Sequence, residues 1–434
     1  MQKPIKILML VENLPVPADP RVWKEATALH EAGFQVCVIS PKGTTRQQEP
    51  YICIDGIHIY RYQLPTTANR GGAYLKEYST ALLMTFLLSL KIWFRHGFDV
   101  IHAANPPDVF FLLGWCYRLL GKKYIFDQHD LAPEMFQVKF KGRMHLLLRL
   151  LLICEWCSYR VAHIVIVTNL SQKWNATERG GCPPHKVMVV RNGPDLTRLQ
   201  PTATDPELKR GRPYLLAYVG VMGVQDGIEN ALYALQRLVY QRRRQDVSLV
   251  LMGSGDHLST LQALTHELRL DDYVNFTGWV ESAEMTRYLC AADIGLCPDP
   301  QNGLNEYCTM LKAMEYMAMR KPVVAFDLTE TRFSAQDAAL YAAPNSVEDF
   351  TRKIEMLLED EQLRMQLGIY GRNRIETALC WEQSKEHLLN VYQRLFPAHF
   401  ESVTVGEAAF VAQHSEAKGT NYRDNSIATV CKKI

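Results

Sequence analysis

Residues 305–327 read NEYCTMLKAMEYMAMRKPVVAFD, and this stretch decides the fold class. Apolar side chains at helical spacing, among them Met310 and Met314, predict a helix. Pro322 ends that helix, and the β-branched run Val323–Phe326 predicts a buried strand immediately after it. A helix that leads at once into a buried strand is typical of parallel α/β sheets.

Glu315 is the unusual residue of this helix because it lies at the border of the apolar stripe. A carboxylate in that position needs hydrogen-bond donors, since an unpaired buried charge is costly. One interpretation is a structural glutamate that meets a nearby lysine or backbone amide. The other is a carboxylate that accepts two hydroxyl groups of a sugar or ribose. The residues themselves leave both interpretations open.

The start of the chain has the same alternation. Residues 5–11 form an apolar run of strand length, residues 12–20 a loop with three prolines, and residues 21–32 a helical pattern. A second strand follows at residues 34–39, which gives a β-loop-α-β unit. Ligands of doubly wound sheets bind at the carboxyl ends of the strands, where this loop lies.

Four polar residues stand at the ends of predicted elements. Arg21 is a cation in a first helical turn, against the helix dipole, so it is either a plain surface residue or has a function. His129 and Asp130 come directly after the strand at residues 124–127, and Asn192 lies in a turn after another strand. We therefore expect Arg21, Asp130 and Asn192 to line a cleft, with His129 as a candidate for chemistry.

A second set of strands starts after residue 213. A glycine-rich loop at residues 220–227 follows the first of them, and the tripeptide Gly-Ser-Gly at residues 253–255 follows the second. The tripeptide is similar to half of a dinucleotide fingerprint, but Leu258 takes the place of the third glycine. Nicotinamide binding is therefore not expected.

Four segments together resemble family 4 of the retaining glycosyltransferases. They are DPRV at 19–22, RNGPD at 191–195, LMGSG at 251–255 and KAMEYMAMRKPVV at 312–324, and the resemblance extends over residues 5–396. It implies an α/β protein of the GT-B type, with two Rossmann-like doubly wound domains that face each other across a cleft. The implied boundaries are 1–195 for the N-terminal acceptor-side domain, 196–378 for the nucleotide-sugar-binding domain and 379–396 for a helix that crosses back. Residues 397–434 lie beyond the resemblance, and their loss of periodicity and polar composition predict a disordered tail.

The same resemblance gives Glu315 the role of binding the donor's ribose. The first glutamate of the family's Glu-x7-Glu element would fall at Tyr307, whereas this sequence has Glu306 one residue earlier. Glu306 and Asn305 are therefore candidates for contact with the donor sugar. His129 would line the cleft and steady the donor sugar or the leaving group, so His129 and Glu306 are the candidate catalytic residues.

The diphosphate of the donor lacks its usual partners in this sequence. The family carries an arginine and a lysine in the loop after the first strand of the second domain, and Val221 and Asp226 stand in those positions. Backbone amides at a helix start are the physical candidate to replace them, with Lys312 and Arg332 as side-chain helpers. Besides Glu315, the expected donor-binding residues are Asn305, Thr309, Met310, Leu311, Lys312, Gly220, Gly223, Gly253 and Gly255.

The sequence also bears on the class of reaction and on whether a metal ion takes part. No Asp-x-Asp pair occurs in the chain, so we expect metal-independent action without a cofactor, on a nucleotide-diphosphate sugar. The resemblance implies transfer with retention to a saccharide or lipid-linked acceptor, in surface polysaccharide or glycoconjugate synthesis. Two alternatives stay open: a non-catalytic nucleotide-sugar-binding regulatory subunit, which the missing cations favour, and a nucleotide-sugar epimerase, which needs no acceptor.

Net charge and cysteine content limit the expected binding partners and the cellular compartment. A net charge of +2 over 434 residues predicts no nucleic-acid partner. Eleven scattered cysteines, an odd number, predict reduced thiols in the cytoplasm. The first residues lead directly into a strand, so no signal peptide is expected.

Two leucine-rich segments raise the question of a membrane surface. Residues 139–160 combine leucines with one acid, Glu155, and a set of basic residues, so they predict either an interfacial anchor for anionic lipid or a core helix. Residues 82–94 carry less charge, and a core position is preferred for them. The anchor interpretation places the chain at the inner face of the cell membrane. The basic residues are Lys139, Lys141, Arg143, Arg149 and Arg160.

Overall fold

The computed structural model describes residues 3–43, 46–65, 71–140 and 144–400. Pro4–Leu389 form one compact unit, which contains both sheets and every residue of the site described below. Met1–Lys3 and Asn390–Ile434 form a second unit. Of the tail predicted at residues 397–434, residues 397–400 are helical, and the remainder lies outside the described residues.

The first half of the chain forms a sheet to which the described residues contribute eight strands. These are β1 (Lys6–Leu10), β2 (Gln35–Pro41), β3 (Tyr51–Ile54), β4 (Ile57–Tyr62), β5 (Val100–Ala104), β6 (Lys123–Gln128), β7 (Ile164–Val167) and β8 (Val187–Val189). Their spatial order is β3-β4-β2-β1-β5-β6-β7-β8, and the pair β3–β4 is antiparallel while the other pairs are parallel. The central strands are buried throughout, as expected where helices cover both faces.

The second half forms a parallel sheet with six strands among the described residues. These are β9 (Tyr214–Val219), β10 (Val247–Met252), β11 (Val274–Gly278), β12 (Ile294–Cys297), β13 (Val323–Phe326) and β14 (Ala339–Ala342). Their order is β11-β10-β9-β12-β13-β14, which is that of a doubly wound sheet. Successive strands are added on one side of β9 up to β11 and on the other side from β12 onward. The prediction of two Rossmann-like α/β halves is therefore confirmed.

Helices alternate with the strands in both halves. They are α1 (Pro20–Glu31), α2 (Gly71–Arg95), α3 (Phe111–Leu119), α4 (Ala132–Phe140), α5 (His145–Val161), α6 (Leu170–Glu178), α7 (Ile228–Gln236), α8 (Leu258–Glu267), α9 (Ser282–Ala291), α10 (Leu311–Ala318), α11 (Thr329–Ala335), α12 (Val347–Glu359), α13 (Glu361–Arg374) and α14 (Trp381–Leu395). The single helix expected over residues 139–160 is instead the end of α4 and all of α5. Lys141 and Arg143 lie between them, outside the described residues.

The chain passes from the first sheet to the second at residues 190–198 and returns at residues 379–381. The two crossings pack tightly, because a Cβ on Gly193 would lie only 2.4 Å from the carbonyl oxygen of Leu379. The amide of Trp381 also donates to the carbonyl of Pro194 at 3.0 Å. After this return, Lys385 on α14 forms a 2.6 Å ion pair with Glu31 on α1. The domain boundaries drawn from the resemblance stay predictions.

Helices α2, α3 and α5 present large apolar side chains to solvent. We call these exposed side chains together the α2–α3–α5 face. The core position expected for residues 82–94 is confirmed for one side of α2, where Ile92 is buried and Leu88 and Trp93 pack against the core, and is wrong for its exposed side chains. No helix within the described ranges is both long and apolar enough to span a bilayer. The exposed residues are Leu83, Phe86, Leu87 and Phe94 on α2, Leu112, Trp115 and Leu119 on α3, and Leu146, Leu150, Ile153 and Trp156 on α5.

Candidate functional site

The N-terminus of α10 is open to a ligand. Met310 occupies its N-cap position in extended conformation and supplies no side-chain hydrogen bond. The peptide N–H groups of Leu311 and Lys312 have no acceptor among the described residues. Unpaired first-turn amides together with the helix dipole favour an anion.

Two glycine loops lie beside this helix start. Gly220 and Gly253 end β9 and β10 with φ values of +146° and +140°, and a Cβ on Gly253 would lie 1.8 Å from the carbonyl oxygen of Gly220. A Cβ on Gly255 would likewise meet the Met222 carbonyl at 2.5 Å. The glycines therefore let the two loops pack against each other. Gly223 also lacks room for a side chain, but only because of a neighbour in its own loop: a Cβ there would lie 2.4 Å from the Gln225 side chain.

Lys312 lies under the Gly220 loop, but two carboxylates already hold its charge. Its ammonium is 2.5 Å from Asp299 and 3.8 Å from Asp226, and it lies 5.1 Å from the ring centre of Tyr218. Burial lowers the pKa of Lys312, but Asp299, Tyr218 and Asp226 together raise it well above the ordinary value. Lys312, expected to help bind the diphosphate, is thus a buried lysine that is already paired with two carboxylates.

The pKa of Asp226 is raised to about 6, first by burial and then by Asp299, against the opposing effect of Lys312. Asp226 also accepts hydrogen bonds from the Gly223 amide and the Gln225 side chain, each at 3.0 Å. The position where the resemblance places a lysine therefore holds a carboxylate built into the loop.

Three further sequence candidates have structural partners instead of an open position. The carboxylate of Glu306 accepts from Gln301 at 2.6 Å and from the amide and hydroxyl of Thr329 at 3.1 and 2.9 Å, so it caps α11. The side-chain amide of Asn305 donates to the carbonyls at residues 225 and 300, which ties two loops together. Arg332 pairs with Asp327 at 2.6 Å. Each of the three therefore has a structural role, and their expected contacts with the donor stay predictions.

Glu315 has the environment that the ribose interpretation requires. Its side chain is half-buried and has no hydrogen-bond or ion-pair partner among the described residues. Burial raises the pKa of Glu315 to about 7, with Lys24, Lys312 and Arg198 acting in the opposite direction. It lines a cavity of about 250 Å³ together with Lys24 and Asn192. The structural interpretation of Glu315, which needs a nearby lysine or amide in contact, finds no such contact.

Lys24 joins this cavity from the first half of the chain. Its ammonium donates to the Asn192 side chain at 3.1 Å and to the Gly193 carbonyl at 2.9 Å, and lies 5.0 Å from the ring centre of Trp381. Burial, followed by Arg21, lowers the pKa of Lys24 to about 8. Asn192, expected to line the cleft, thus lies beside Glu315.

A larger cavity of about 820 Å³ adjoins the first and shares Lys24, Asp195 and Arg198 with it. One wall comes from α1 and the loop before it, and the other from the segment after β11, which includes the exposed Trp279. A space of this size between the two halves accommodates a ligand of nucleotide dimensions. His129 does not line either cavity.

His129 is fixed at the end of β6 by a buried carboxylate. Its Nε2 lies 2.7 Å from Asp127 Oδ2, and its backbone amide donates to Asn105 at 2.6 Å. Burial lowers the pKa of His129, but Asp127 outweighs this effect and the net shift is upward. Asp130 is half-buried next to it, and its carboxylate has no partner among the described residues. Both residues stand on the carboxyl edge of the first sheet.

Arg21 lies beneath His129 rather than on the cleft wall. It is 3% exposed, and its guanidinium bonds Asp127 Oδ1 at 3.0 Å and the Val190 carbonyl at 3.1 Å. It also approaches Glu25 Oε1 at 3.1 Å. The expectation that Arg21 lines the cleft is therefore wrong, as is the alternative of a plain surface residue.

Glu25 and His102 complete this buried cluster, and both were missed in the sequence. Their side chains are fully buried, with His102 Nε2 3.7 Å from Glu25 and 3.3 Å from Asp127. Carboxylate and imidazole atoms of Glu25, His102 and Asp127 come within 4.8 Å of one another, a spacing that suits a metal ion. Arg21 already places a positive charge between the two carboxylates, which disfavours a second cation there. The spacing of Arg21 and Glu25, one helical turn apart, was the available signal.

Side chains also join the two halves of the chain next to α10. Asn169, the N-cap of α6, donates to the Tyr307 carbonyl at 2.9 Å and to the Thr309 hydroxyl at 3.0 Å. The Ser171 amide donates to Glu330 on α11 at 3.1 Å. Thr309, expected to bind the donor, thus contacts the opposite half of the chain through its side chain.

Family models match most of the chain. The model described as Glycosyltransferase Family 4 matches residues 21–198, and the one described as Glycosyl transferases group 1 matches residues 213–360. Spore coat protein SA of Bacillus subtilis (strain 168) is 23% identical over 89% of this chain and 98% of its own length. An uncharacterized glycosyltransferase of Methanocaldococcus jannaschii, MJ1069, is 22% identical over 71% and 80% of the two chains.

Solved structures show the same fold. A sucrose-phosphate synthase from Thermosynechococcus elongatus superposes with a TM-score of 0.72 at 22% identity, over 91% of this chain and 100% of that one. Anabaena HepE, solved in complex with UDP-glucose, gives a TM-score of 0.65 at 15% identity, over 90% and 100% of the two chains. With two doubly wound sheets and both family models in sequence along it, the chain belongs to the family 4 glycosyltransferases and has their GT-B fold.

Proposed function

We propose that this glycosyltransferase moves a sugar from a nucleotide-diphosphate sugar to a saccharide or lipid-linked acceptor, with retention of configuration. The observation that carries the proposal is Glu315, a half-buried carboxylate to which the described part of the chain offers no partner. It lines a cavity one turn after the uncapped start of α10. Ribose hydroxyls are the partners that such a carboxylate needs. The HepE complex with UDP-glucose, on the same fold, supports this class of donor.

The donor's diphosphate would lie at the start of α10, between the Gly220 and Gly253 loops. Breaking the sugar–phosphate bond places negative charge on the leaving diphosphate, and fixed N–H donors stabilise it without reorganisation. The amides of Leu311 and Lys312 are such donors. We propose that these groups act without a metal ion or another cofactor.

His129 would contact the donor sugar or the leaving group from the opposite side of the cleft. The accessible part of its ring and the neighbouring Asp130 carboxylate stand at the edge of the first sheet, where the acceptor would enter. No covalent nucleophile is assigned. Correct placement of the acceptor hydroxyl, rather than a covalent step, would supply much of the rate enhancement.

The acceptor would be presented at a membrane surface through the α2–α3–α5 face. Exposed leucine, phenylalanine and tryptophan side chains lie on α2 and α5, which contain most of the two segments identified in the sequence, and also on α3. Glu155, the one acid of α5, is buried and ion-paired with Arg179, so its charge does not offset the exposed Arg149 and Arg160. Apolar side chains with basic neighbours suit an anionic lipid surface, which favours a lipid-linked acceptor.

A regulatory, non-catalytic subunit is the second candidate, and one observation favours it. Asp226 and Asp299 neutralise Lys312 beside the loops that would hold the diphosphate. A protein that only binds a nucleotide-sugar has less need of charge at the leaving group. The unpaired amides at the start of α10 favour the transferase instead.

An assay with and without acceptor separates the candidates. The protein is incubated in excess chelator with a panel of nucleotide-sugars, with or without lipid-linked saccharides, and the nucleotides are followed by mass spectrometry. The proposal predicts release of nucleoside diphosphate only when acceptor is present, at full rate in chelator. Donor isomerisation without acceptor would identify an epimerase, and binding without turnover a regulatory subunit. Loss of activity in chelator that Mg²⁺ or Mn²⁺ restores would overturn metal independence.

A further inference from the structure

The buried cluster beneath His129 has a geometry that packing alone does not require. Two imidazole nitrogens lie within hydrogen-bond distance of Asp127 Oδ2: Nε2 of His129 at 2.7 Å and Nε2 of His102 at 3.3 Å. Its other oxygen, Oδ1, is bonded by the Arg21 guanidinium at 3.0 Å. An ionised carboxylate only accepts hydrogen bonds, so the ring nitrogen that contacts it must carry hydrogen.

We propose that Asp127, held in place by Arg21, is a positioning residue that fixes the His129 ring as the Nε2–H tautomer and turns Nδ1 toward the cleft. This inference rests on the proposed function of His129 toward the donor. It specifies that Nδ1 is the atom of His129 that contacts the donor, and that Asp127 and Arg21 fix the orientation of the ring.

The exposure of His129 agrees with this orientation. Its side chain is 16% exposed, whereas the Asp127 side chain is fully buried. His129 Nδ1 has no hydrogen-bond partner among the described residues, and it is not one of the completely buried unpaired atoms. Nδ1 is therefore available to a sugar hydroxyl, and in the neutral ring its lone pair accepts a hydrogen bond from that hydroxyl.

The backbone around His129 removes its remaining freedom. The side-chain oxygen of Asn105 accepts from the amides of His129 and Asp130, at 2.6 and 3.1 Å. Gln172 on α6 donates to the His129 carbonyl at 3.4 Å. With the main chain held on both sides and Nε2 anchored below, the ring has one position relative to the cleft.

Charges from each neighbouring element act on this imidazole. Helix α1 contributes Arg21 and Glu25, and its cap residue Asp19 accepts from the Arg21 amide. Strand β5 contributes His102, and β6 contributes Asp127, with Asp130 directly after it. Arg21 balances Asp127, so the ion pair holds the carboxylate ionised in a site that excludes water.

Glu25 offers a variant that leaves the proposed contact intact. Both of its carboxylate oxygens are buried and lack hydrogen-bond geometry to any described group. Burial, followed by Asp127, raises its pKa to about 7. Glu25→Gln therefore changes the charge of the cluster while Asp127, Arg21 and His129 remain.

The test is nitrogen NMR of the full-length protein with labelled histidine, in which the His129 signals are those lost in His129→Gln. Spectra are recorded at alkaline pH, where the ring is neutral although, against the lowering effect of burial, Asp127 raises its pKa. We expect the Nε2–H tautomer of His129 in the unmodified protein, the same tautomer in Glu25→Gln, and a shift toward Nδ1–H in Asp127→Asn. An Nδ1–H tautomer in the unmodified protein would overturn the inference, whether or not the variant folds, and so would an unchanged tautomer in Asp127→Asn.

Kinetics of the same variant test the proposed function separately. With the tautomer changed, Asp127→Asn should lower kcat by about tenfold or more while KM for the donor changes less, because the ring remains but presents the wrong atom. A changed tautomer with unchanged kcat would refute the role of His129 in transfer while the positioning role of Asp127 stands.

Discussion

Lys312 on α10 and Asp226 in the loop after β9 form an ion pair at 3.8 Å beside Gly220. The lysine of this ion pair belongs to α10, and an acid stands at the position in the loop where the resemblance places a lysine. Asp299, at 2.5 Å, is the closer partner of Lys312. Asp226 therefore adds a second negative charge near the site without being needed to anchor the lysine.

Asp226→Asn should strengthen donor binding about tenfold at pH 7.5, which corresponds to about 1.4 kcal/mol, because one carboxylate near the diphosphate is removed. The pKa of Asp226 is raised to about 6, so the native carboxyl is charged at pH 7.5 and protonated at pH 5. The advantage of the variant should accordingly disappear as the pH falls below 6.

Calorimetry with a nucleoside diphosphate measures both effects, and Asp272→Asn, at an exposed position, is the matched control. Equal affinity of Asp226→Asn and the native protein at pH 7.5 would mean that Asp226 does not act on the diphosphate.

The α2–α3–α5 face should bind anionic vesicles at low salt. Each basic residue near such a surface contributes about 1 kcal/mol, so binding should weaken steeply as salt is added. Replacing Trp115 and Leu119 on α3 by glutamate should abolish flotation, because it removes two apolar contacts and introduces two charges that anionic lipid repels.

The matched control replaces Met365 and Ile369, which are about as exposed on α13, by glutamate. Flotation of the control together with loss in the α3 variant assigns binding to this face. A native protein that stays with the unbound fraction at low salt would remove the support for a lipid-linked acceptor.

The crossing at Gly193 should tolerate no side chain. Gly193→Ala places a Cβ 2.4 Å from the Leu379 carbonyl and 2.5 Å from the carbonyl carbon of Cys380, so the two crossings must separate. Overpacking of this kind costs about 1–3 kcal/mol and should lower Tm by several degrees. Gly303→Ala, where no atom lies within 4 Å, is the control expected to leave Tm unchanged. Equal Tm values for both variants would show that the crossings are not packed in this way.

The alternation of strands and helices was predictable because it depends on local periodicity. Buried strands such as Val323–Phe326 appear as short β-branched runs, and α10 shows helical spacing of its methionines. Glu315 was identifiable for the same reason, since a carboxylate at the border of an apolar stripe contradicts the local pattern. Local pattern could not show that the helix at 139–160 is divided between α4 and α5, or that much of α2 faces solvent.

The cluster beneath His129 was not predictable, because its members are distant in sequence. Arg21 and Asp127 are 106 residues apart, and Asp127 lies in a strand that also contains Lys123 and Gln128. The same limit applies to Glu306, whose partner Thr329 is 23 residues away. The sequence contains residue types suited to the chemistry, but long-range contacts decide which of them are already paired with other side chains.

The most direct test of the donor site is calorimetric titration of a nucleotide-sugar into the native protein and into Glu315→Ala. Two charge-assisted hydrogen bonds from ribose hydroxyls, at about 1.5–3 kcal/mol each, predict that affinity falls by tenfold or more. Glu267→Ala, at an exposed position on α8, should bind like the native protein, and Tm should be retained in both variants. Donor affinity unchanged in Glu315→Ala, with the fold intact, would contradict the assignment of the ribose site and reduce Glu315 to a structural residue.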